Sequence, residues 1–189
     1  MNREYQQIPT SWSPDGRVLV YHEVHPQTGQ DIWQVEPGRA PALVLATPFN
    51  ESGAVFSPDG RFLAYVSDES GRIETYVRSY PTGTKKLLVS TNGGAEPVWS
   101  SDGKELFYRE SGGMMAVPVT LQPAFRAGIP RQLFDDHFDW SANHQHYSAG
   151  GGRFLMVQRN QDFPSERVHV ILNFGEELTA NASAGGRRP

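Results

Sequence analysis

Short runs of β-branched and aromatic residues alternate with turn-forming residues along nearly the whole chain, and no window places apolar residues at helical spacing. Val18–Tyr21, Phe62–Val66, Leu106–Tyr108 and Phe154–Val157 each follow a tight turn. A further set, Ile32–Val35, Ile73–Val77, Met114–Val119 and Val168–Leu172, follows a polar loop, and Leu43–Leu45, Leu87–Val89 and Gln132–Phe134 close three of the units. Ahead of the turns stand short runs ending in an aromatic, such as Ala54–Phe56 and Pro97–Trp99. The pattern predicts an all-β chain made of units of four short strands, the last unit one strand short.

The units repeat. Trp12-Ser13-Pro14-Asp15-Gly16-Arg17 returns as Phe56-Ser57-Pro58-Asp59-Gly60-Arg61 and as Trp99-Ser100-Ser101-Asp102-Gly103-Lys104, and more weakly as Tyr147-Ser148-Ala149-Gly150-Gly151. Successive copies lie 44, 43 and 48 residues apart, a period that fits four strands and their turns. Turns are expected at 13–16, 57–60, 100–103 and 148–151. In the S-P-D-G copies proline presets φ, aspartate bonds nearby backbone, and glycine supplies the left-handed residue that rejoins the strands. The recurring aromatics Trp12, Phe56, Trp99 and Tyr147 are expected to pack between units. One aspartate per turn, at Asp15, Asp59 and Asp102, reads as turn chemistry and not as a catalytic carboxylate pair.

Composition agrees with a turn-rich β protein: 19 glycines and 14 prolines in 189 residues, with charged residues at only 20%. A formal net charge of −4 argues against a phosphate-backbone binder, which needs a basic stripe, so nucleic acid is not expected as a partner. No apolar run reaches the roughly 18 residues needed to span a bilayer, and residues 1–10 lack the apolar core of a signal peptide, so membrane insertion is not expected. The absence of cysteine excludes disulfides and thiolate chemistry. Residues 175–189 carry no periodicity and are expected to be a disordered tail after a folded unit over 1–174.

The W-S-P-D-G-R-x-L-x-Y repeat resembles that of the TolB-like, WD-repeat-like β-propellers. The stretch from Phe56 to Arg72, with Tyr76-Val77-Arg78 after it, is similar to the propeller segments that follow bacterial serine/threonine protein kinase domains. The resemblance runs from about Pro9 to Phe174. It implies a partial β-propeller of about four blades, each of four antiparallel strands, with the last blade incomplete. By the same analogy the chain is expected to be an extracytoplasmic domain of a bacterial membrane-anchored protein. An open arc leaves terminal blade faces bare, exposing residues such as Leu19, Tyr21 or Phe154, so self-association or missing N-terminal blades are expected.

Candidate chemistry is sparse. There is no G-x-S-x-G elbow, no P-loop and no dinucleotide-binding glycine motif. Propellers open the loop before the inner strand, and the loop between second and third strands, onto one face around a central channel. On that mouth the repeat places Asn50, Glu51, Asp68, Arg72, Glu96 and His144, which are the candidate partner-binding residues. The densest ligand-like cluster is Asp135, Asp136 and Asp139 with His144 and His146. It offers weak metal candidates only, calcium through the aspartates being the better form, and no cofactor is expected. Two function classes follow. The first is a non-catalytic module that binds a protein or peptide, a sensor or interaction domain of a larger propeller protein. The second is a propeller hydrolase of lactonase or esterase type, with a calcium- or histidine-dependent site drawn from Glu51, Glu96, His144 and His146.

Overall fold

The structure, a computed structural model, describes residues 4–138, 145–159 and 166–171, which form sixteen strands and no helix. The first sheet contains β1 (Gln7–Trp12), β2 (Leu19–His25), β3 (Gly29–Val35) and β4 (Ala42–Leu45), paired in that order. The second contains β5 (Glu51–Phe56), β6 (Phe62–Ser67), β7 (Glu74–Ser79) and β8 (Lys86–Leu88). In the third, β9 (Ala95–Trp99), β10 (Glu105–Glu110) and β11 (Gly113–Thr120) are followed by β12 (Arg126–Ala127) and β13 (Arg131–Asp135), both paired with β11. The fourth has β14 (Tyr147–Gly150), β15 (Arg153–Arg159) and β16 (Glu166–Ile171). Every pairing is antiparallel between consecutive strands of a blade, β13 excepted. The architecture is a partial β-propeller whose four sheets are its blades. The tail expected at 175–189 lies outside the described residues.

Three blades use one hydrogen-bonding device to turn from inner to second strand. Ser57 Oγ donates to Asp59 Oδ1 at 2.7 Å and accepts from Phe62 N at 3.0 Å, while Gly60 N donates to Ser57 O at 2.8 Å. Ser13 with Asp15 and Ser100 with Asp102 repeat the pattern. Gly60 stands at φ 71°, the left-handed conformation that a side chain disfavours. These bonds hold the turn aspartates below the ordinary carboxylate range, the serine hydroxyl being the leading cause at Asp15 and Asp102. At Asp59 burial opposes the shift, but the bonds from Ser57 and Arg61 outweigh it.

Blade 4 turns differently and corrects the expected register. β14 runs through 147–150, so the turn falls on Gly151 and Gly152, both at positive φ, instead of on 148–151. Without the aspartate the serine device cannot form, and two left-handed glycines make a two-residue hairpin turn instead. Phe154 pairs with Ala149, as Leu106 pairs with Trp99, so Ala149 occupies the place that Tyr147 was expected to fill. The fourth repeat is displaced by two residues.

The core lies between blades. In β6 all six residues are buried because both faces are covered: Leu63 and Tyr65 pack toward blade 1, Phe62 and Ala64 toward blade 3. β10 repeats this, with Leu106 and Tyr108 toward blade 2 and Phe107 toward blade 4. Trp99 seals its seam, its Nε1 donating to Val55 O at 3.2 Å. Trp12, at the same repeat position, is 52% exposed against 7% for Phe56 and for Trp99, which corrects its assignment to the core. Trp12 belongs to the first blade, and no described blade precedes it. Two residues expected on bare faces are instead buried: Tyr21 at 4%, and Phe154 at 5% against Phe107 and Phe134 of blade 3.

Candidate functional site

The inner strands open at the mouth of the arc, where β5 and β9 each carry a bulge. Gly53–Ala54 stand opposite Tyr65, and Glu96–Pro97 opposite Tyr108, two residues against one. Gly53 (φ 61°) and Glu96 (φ 52°) share the left-handed conformation, which glycine adopts freely and glutamate at a cost of roughly 1–2 kcal/mol. Glu96 is the only non-glycine residue at positive φ among the described residues. Such strain persists where surrounding contacts impose it.

Those contacts form the seam between blades 3 and 4. Arg109, 4% exposed, grips Asp136 with two donors, Nη2 to Oδ1 at 2.8 Å and Nε to Oδ2. Nη2 also donates to Phe138 O at 2.7 Å, and Nη1 lies 3.5 Å from Glu96 Oε1. Glu96 Oε2 accepts from His146 N at 2.8 Å, and its carbonyl accepts from Tyr147 Oη, also at 2.8 Å. Burial first, and the nearby Glu96 charge second, push the Tyr147 phenol well above its ordinary pKa. One arginine thus compensates two buried carboxylates, and the group locks blade 4 onto blade 3.

Between blades 2 and 3, Glu74 is 1% exposed and fully engaged. Arg72 Nε donates to its Oε1, and Ser90 Oγ and Gly93 N donate to its Oε2. Arg72 Nη2 reaches on to Thr91 O at 2.7 Å, so Glu74 and Arg72 together pin the loop leading into β9. A cavity of about 280 Å³ opens beside this loop, lined by Ile73, Asn92, Gly93, Arg109, Glu110 and Asp136 among others.

The seam between blades 1 and 2 is built from the same positions with other residues. Asp31 pairs with Glu23 across the sheet, as Glu74 pairs with Ser67, so Asp31 is the counterpart of Glu74. Two residues before it stands Gly29, where blade 2 has Arg72. Gly29 stands at φ 85°, a conformation that a side chain disfavours, and Asn50 Oδ1 lies 2.5 Å from where its Cβ would be, so a larger residue there would have to displace Asn50. Glu51, 1% exposed, accepts from Thr47 N at 3.2 Å and from Thr47 Oγ1. Its pKa is raised, chiefly by burial, with the Thr47 bonds opposing and the Asp31 and Glu69 charges adding to the rise. On the rim Asn50 clasps Asp68, donating from N at 2.9 Å and from Nδ2 at 2.8 Å, and these bonds lower the Asp68 pKa. Phe49 next to Asn50 is 42% exposed.

Of the residues chosen from sequence, Asn50 and Asp68 are brought together, and Arg72 stands on Glu74. Glu51 and Glu96 are buried supports more than exposed ligands. His144 and Asp139 lie outside the described residues, and the register shift of blade 4 is why His146 stands beside Glu96. Asp136 is spent on Arg109, and Asp135 accepts from Gln132 Nε2 at 2.8 Å. Among the described residues no group of three His, Asp or Glu is placed to hold a metal ion. Sequence reading missed Asp31, Glu74 and the role of Arg109. Only pairing register reveals that the first two are equivalent.

No protein-family profile matches the chain. A stretch of 62 residues, 32% of the chain, is 42% identical to dipeptidyl aminopeptidase BI of Pseudoxanthomonas mexicana, and it amounts to 9% of that enzyme. Among solved structures, TolB from Acinetobacter baumannii is similar with a TM-score of 0.65 at 19% identity, over 88% of this chain and 41% of that one. TolB from Agrobacterium tumefaciens gives 0.62 at 15% identity, over 90% and 60% respectively. The chain thus spans less than two thirds of each of these proteins. At such identities the likeness to the solved structures is one of fold, a TolB-like β-propeller.

Proposed function

We propose that this chain is a non-catalytic binding module that recognises a protein or peptide at its mouth face. In this reading it is the C-terminal part of a larger propeller protein, the sensor end of a bacterial kinase-type receptor on the outer side of the membrane. The observation that carries the reading is how the mouth spends its ionisable groups. Arg109, Asp136 and Glu96 satisfy one another, and Glu74 is saturated by Arg72, Ser90 and Gly93. The Ser90 hydroxyl on Glu74 is 1% exposed, so this serine–carboxylate pair is closed to a substrate and acts as a pin. What faces outward is a polar rim, Asn50 and Asp68, with the exposed ring of Phe49. An aromatic anchor beside hydrogen-bonding groups is the composition of a recognition surface. The kinase context is supported by the 56–78 motif. No helix among the described residues is long and apolar enough to cross a membrane.

The test is selection of a displayed random peptide library on the immobilised chain. The expected result is enrichment of binders whose affinity falls at least fivefold with Phe49→Ala or Asp68→Ala. Absence of enrichment would contradict the reading.

A second reading, a propeller hydrolase, is favoured by the 42% identity to a stretch of a dipeptidyl aminopeptidase and by the Glu96–His146 contact of 3.5 Å. A carboxylate beside an imidazole at a channel mouth can act as a general base. Turnover of ester or lactone substrates, lost in Glu96→Gln and in His146→Ala, would establish it in place of the first.

A further inference from the structure

One asparagine in the chain is followed by glycine: Asn92, in the loop that leads into β9. Both residues line the cavity of about 280 Å³ at the mouth, and Asn92 is exposed. Its side-chain amide donates from Nδ2 to Glu110 Oε1 at 2.9 Å, and the next backbone nitrogen, Gly93 N, donates to Glu74 Oε2 at 3.1 Å. Two carboxylates therefore hold the two nitrogens that meet in one reaction, the closure of a succinimide ring. Glycine carries no side chain to hinder the approach of its own nitrogen to the preceding amide carbon, so Asn–Gly is the pair in which that closure is least obstructed. In the turns Asp15, Asp59 and Asp102 also precede glycine, but an ionised carboxylate has no leaving group, and Gly16 N, Gly60 N and Gly103 N are each held on a serine carbonyl.

We propose that Asn92 is a deamidation site of the folded chain, and that the bond from Gly93 N to Glu74 is the catch that sets its rate. Gly93 N loses its proton and bonds to Asn92 Cγ; the Cγ–Nδ2 bond breaks, and Nδ2 leaves with that proton as ammonia. Water then opens the succinimide at either carbonyl and leaves aspartate or isoaspartate at position 92. Glu74 is 1% exposed and is itself held by Arg72 and Ser90, so Gly93 N must leave a fixed carboxylate before it can attack. The product changes the mouth. A carboxylate has no N–H to donate, so the group that bonded Glu110 becomes a second acceptor of the same charge. Isoaspartate also lengthens the main chain by one atom and draws Gly93 N off Glu74, which releases the loop beside the cavity from both of its carboxylate anchors. The site is independent of what the mouth binds.

The experiment incubates the whole folded chain in warm, mildly alkaline buffer beside a sample unfolded in urea. Trypsin releases residues 87–104, which carry both Asn92-Gly93 and Asp102-Gly103, so one peptide holds the site and its internal comparison. Mass spectrometry of the folded wild type is expected to show the mass gain of amide-to-acid conversion at Asn92, more slowly than in urea, with enzymatic methylation detecting isoaspartate at 92 and not at 102. Glu74→Gln, which removes the charge that holds Gly93 N, should raise the folded-state rate at least threefold, and Asn92→Gln should abolish the conversion. Arg72→Ala, which loosens Glu74 from its exposed side, gives the same comparison where Glu74→Gln loses its fold. Asn92→Asp is expected to melt at a lower temperature than the wild type. Adding Glu110→Gln should recover most of that loss, because the glutamine amide donates to the new carboxylate. An unconverted Asn92 in the folded chain, with the urea sample converted, would overturn the site. A rate in Glu74→Gln or Arg72→Ala no higher than in the wild type would overturn the catch, and an unchanged melting temperature in Asn92→Asp would overturn the release of the loop.

Discussion

Blade 2 sets Arg72 two residues before a buried glutamate, and blade 1 sets Gly29 two residues before a buried aspartate. Equivalent strands and the same pairing register surround both. Glu74 is therefore tied to a cation and to the loop that follows. Among the described residues Asp31 accepts from Thr28 and Glu51 from Thr47. The repeat thus supplies a frame, and loop residues outside it decide which groups answer the buried carboxylates of a seam. The aromatics teach the same lesson about packing, since Trp12 and Trp99 occupy one repeat position and differ sevenfold in exposure.

The largest expected effect breaks the comparison between blades. Trp99→Ala should destabilise the chain by about 3–5 kcal/mol, whereas Trp12→Ala, removing a half-exposed ring, should cost less than about 1 kcal/mol. Urea unfolding of the two variants measures both. Next, Arg109→Ala should cost about 3 kcal/mol because it strands Asp136 and Glu96 in the interior. Arg72→Ala should cost about 1 kcal/mol, because that side chain is 54% exposed and Glu74 keeps its Ser90 and Gly93 donors. Equal costs for the two arginines would erase the distinction between a locked and a pinned seam.

The fold was legible because its information is local and repeated. S-P-D-G sets one hairpin at a time, and three of the four copies fold as read. The fourth was misread because Tyr147 mimics the repeat aromatic, while the glycine pair after it moves the turn by two residues. That slip also bears on the mouth, since the displaced alignment set His144 there, which lies outside the described residues, while His146 stands beside Glu96. Glu96 itself was found by aligning on the turn, because the bulge sits at a constant distance from it. Asp31, Glu74 and their differing partners were not legible. Their equivalence depends on β2–β3 and β6–β7 pairing across loops of unequal length, and which groups answer a buried charge is set in three dimensions.

The claim that the seam between blades 1 and 2 holds uncompensated acid is tested most directly by stability against pH in the wild type and Glu51→Gln. A carboxyl whose pKa is higher in the folded than in the unfolded chain binds its proton more tightly when folded. Its contribution is fully present below the unfolded value of about 4.3 and is lost as pH rises through the folded value. Glu51 is of this kind, raised by burial first and by the Asp31 charge among the further causes. Melting curves should therefore show the wild type losing stability relative to Glu51→Gln as pH rises above about 4, with the variant gaining most at the neutral end. Parallel profiles would contradict the account, since they would mean that the burial of Glu51 is fully compensated.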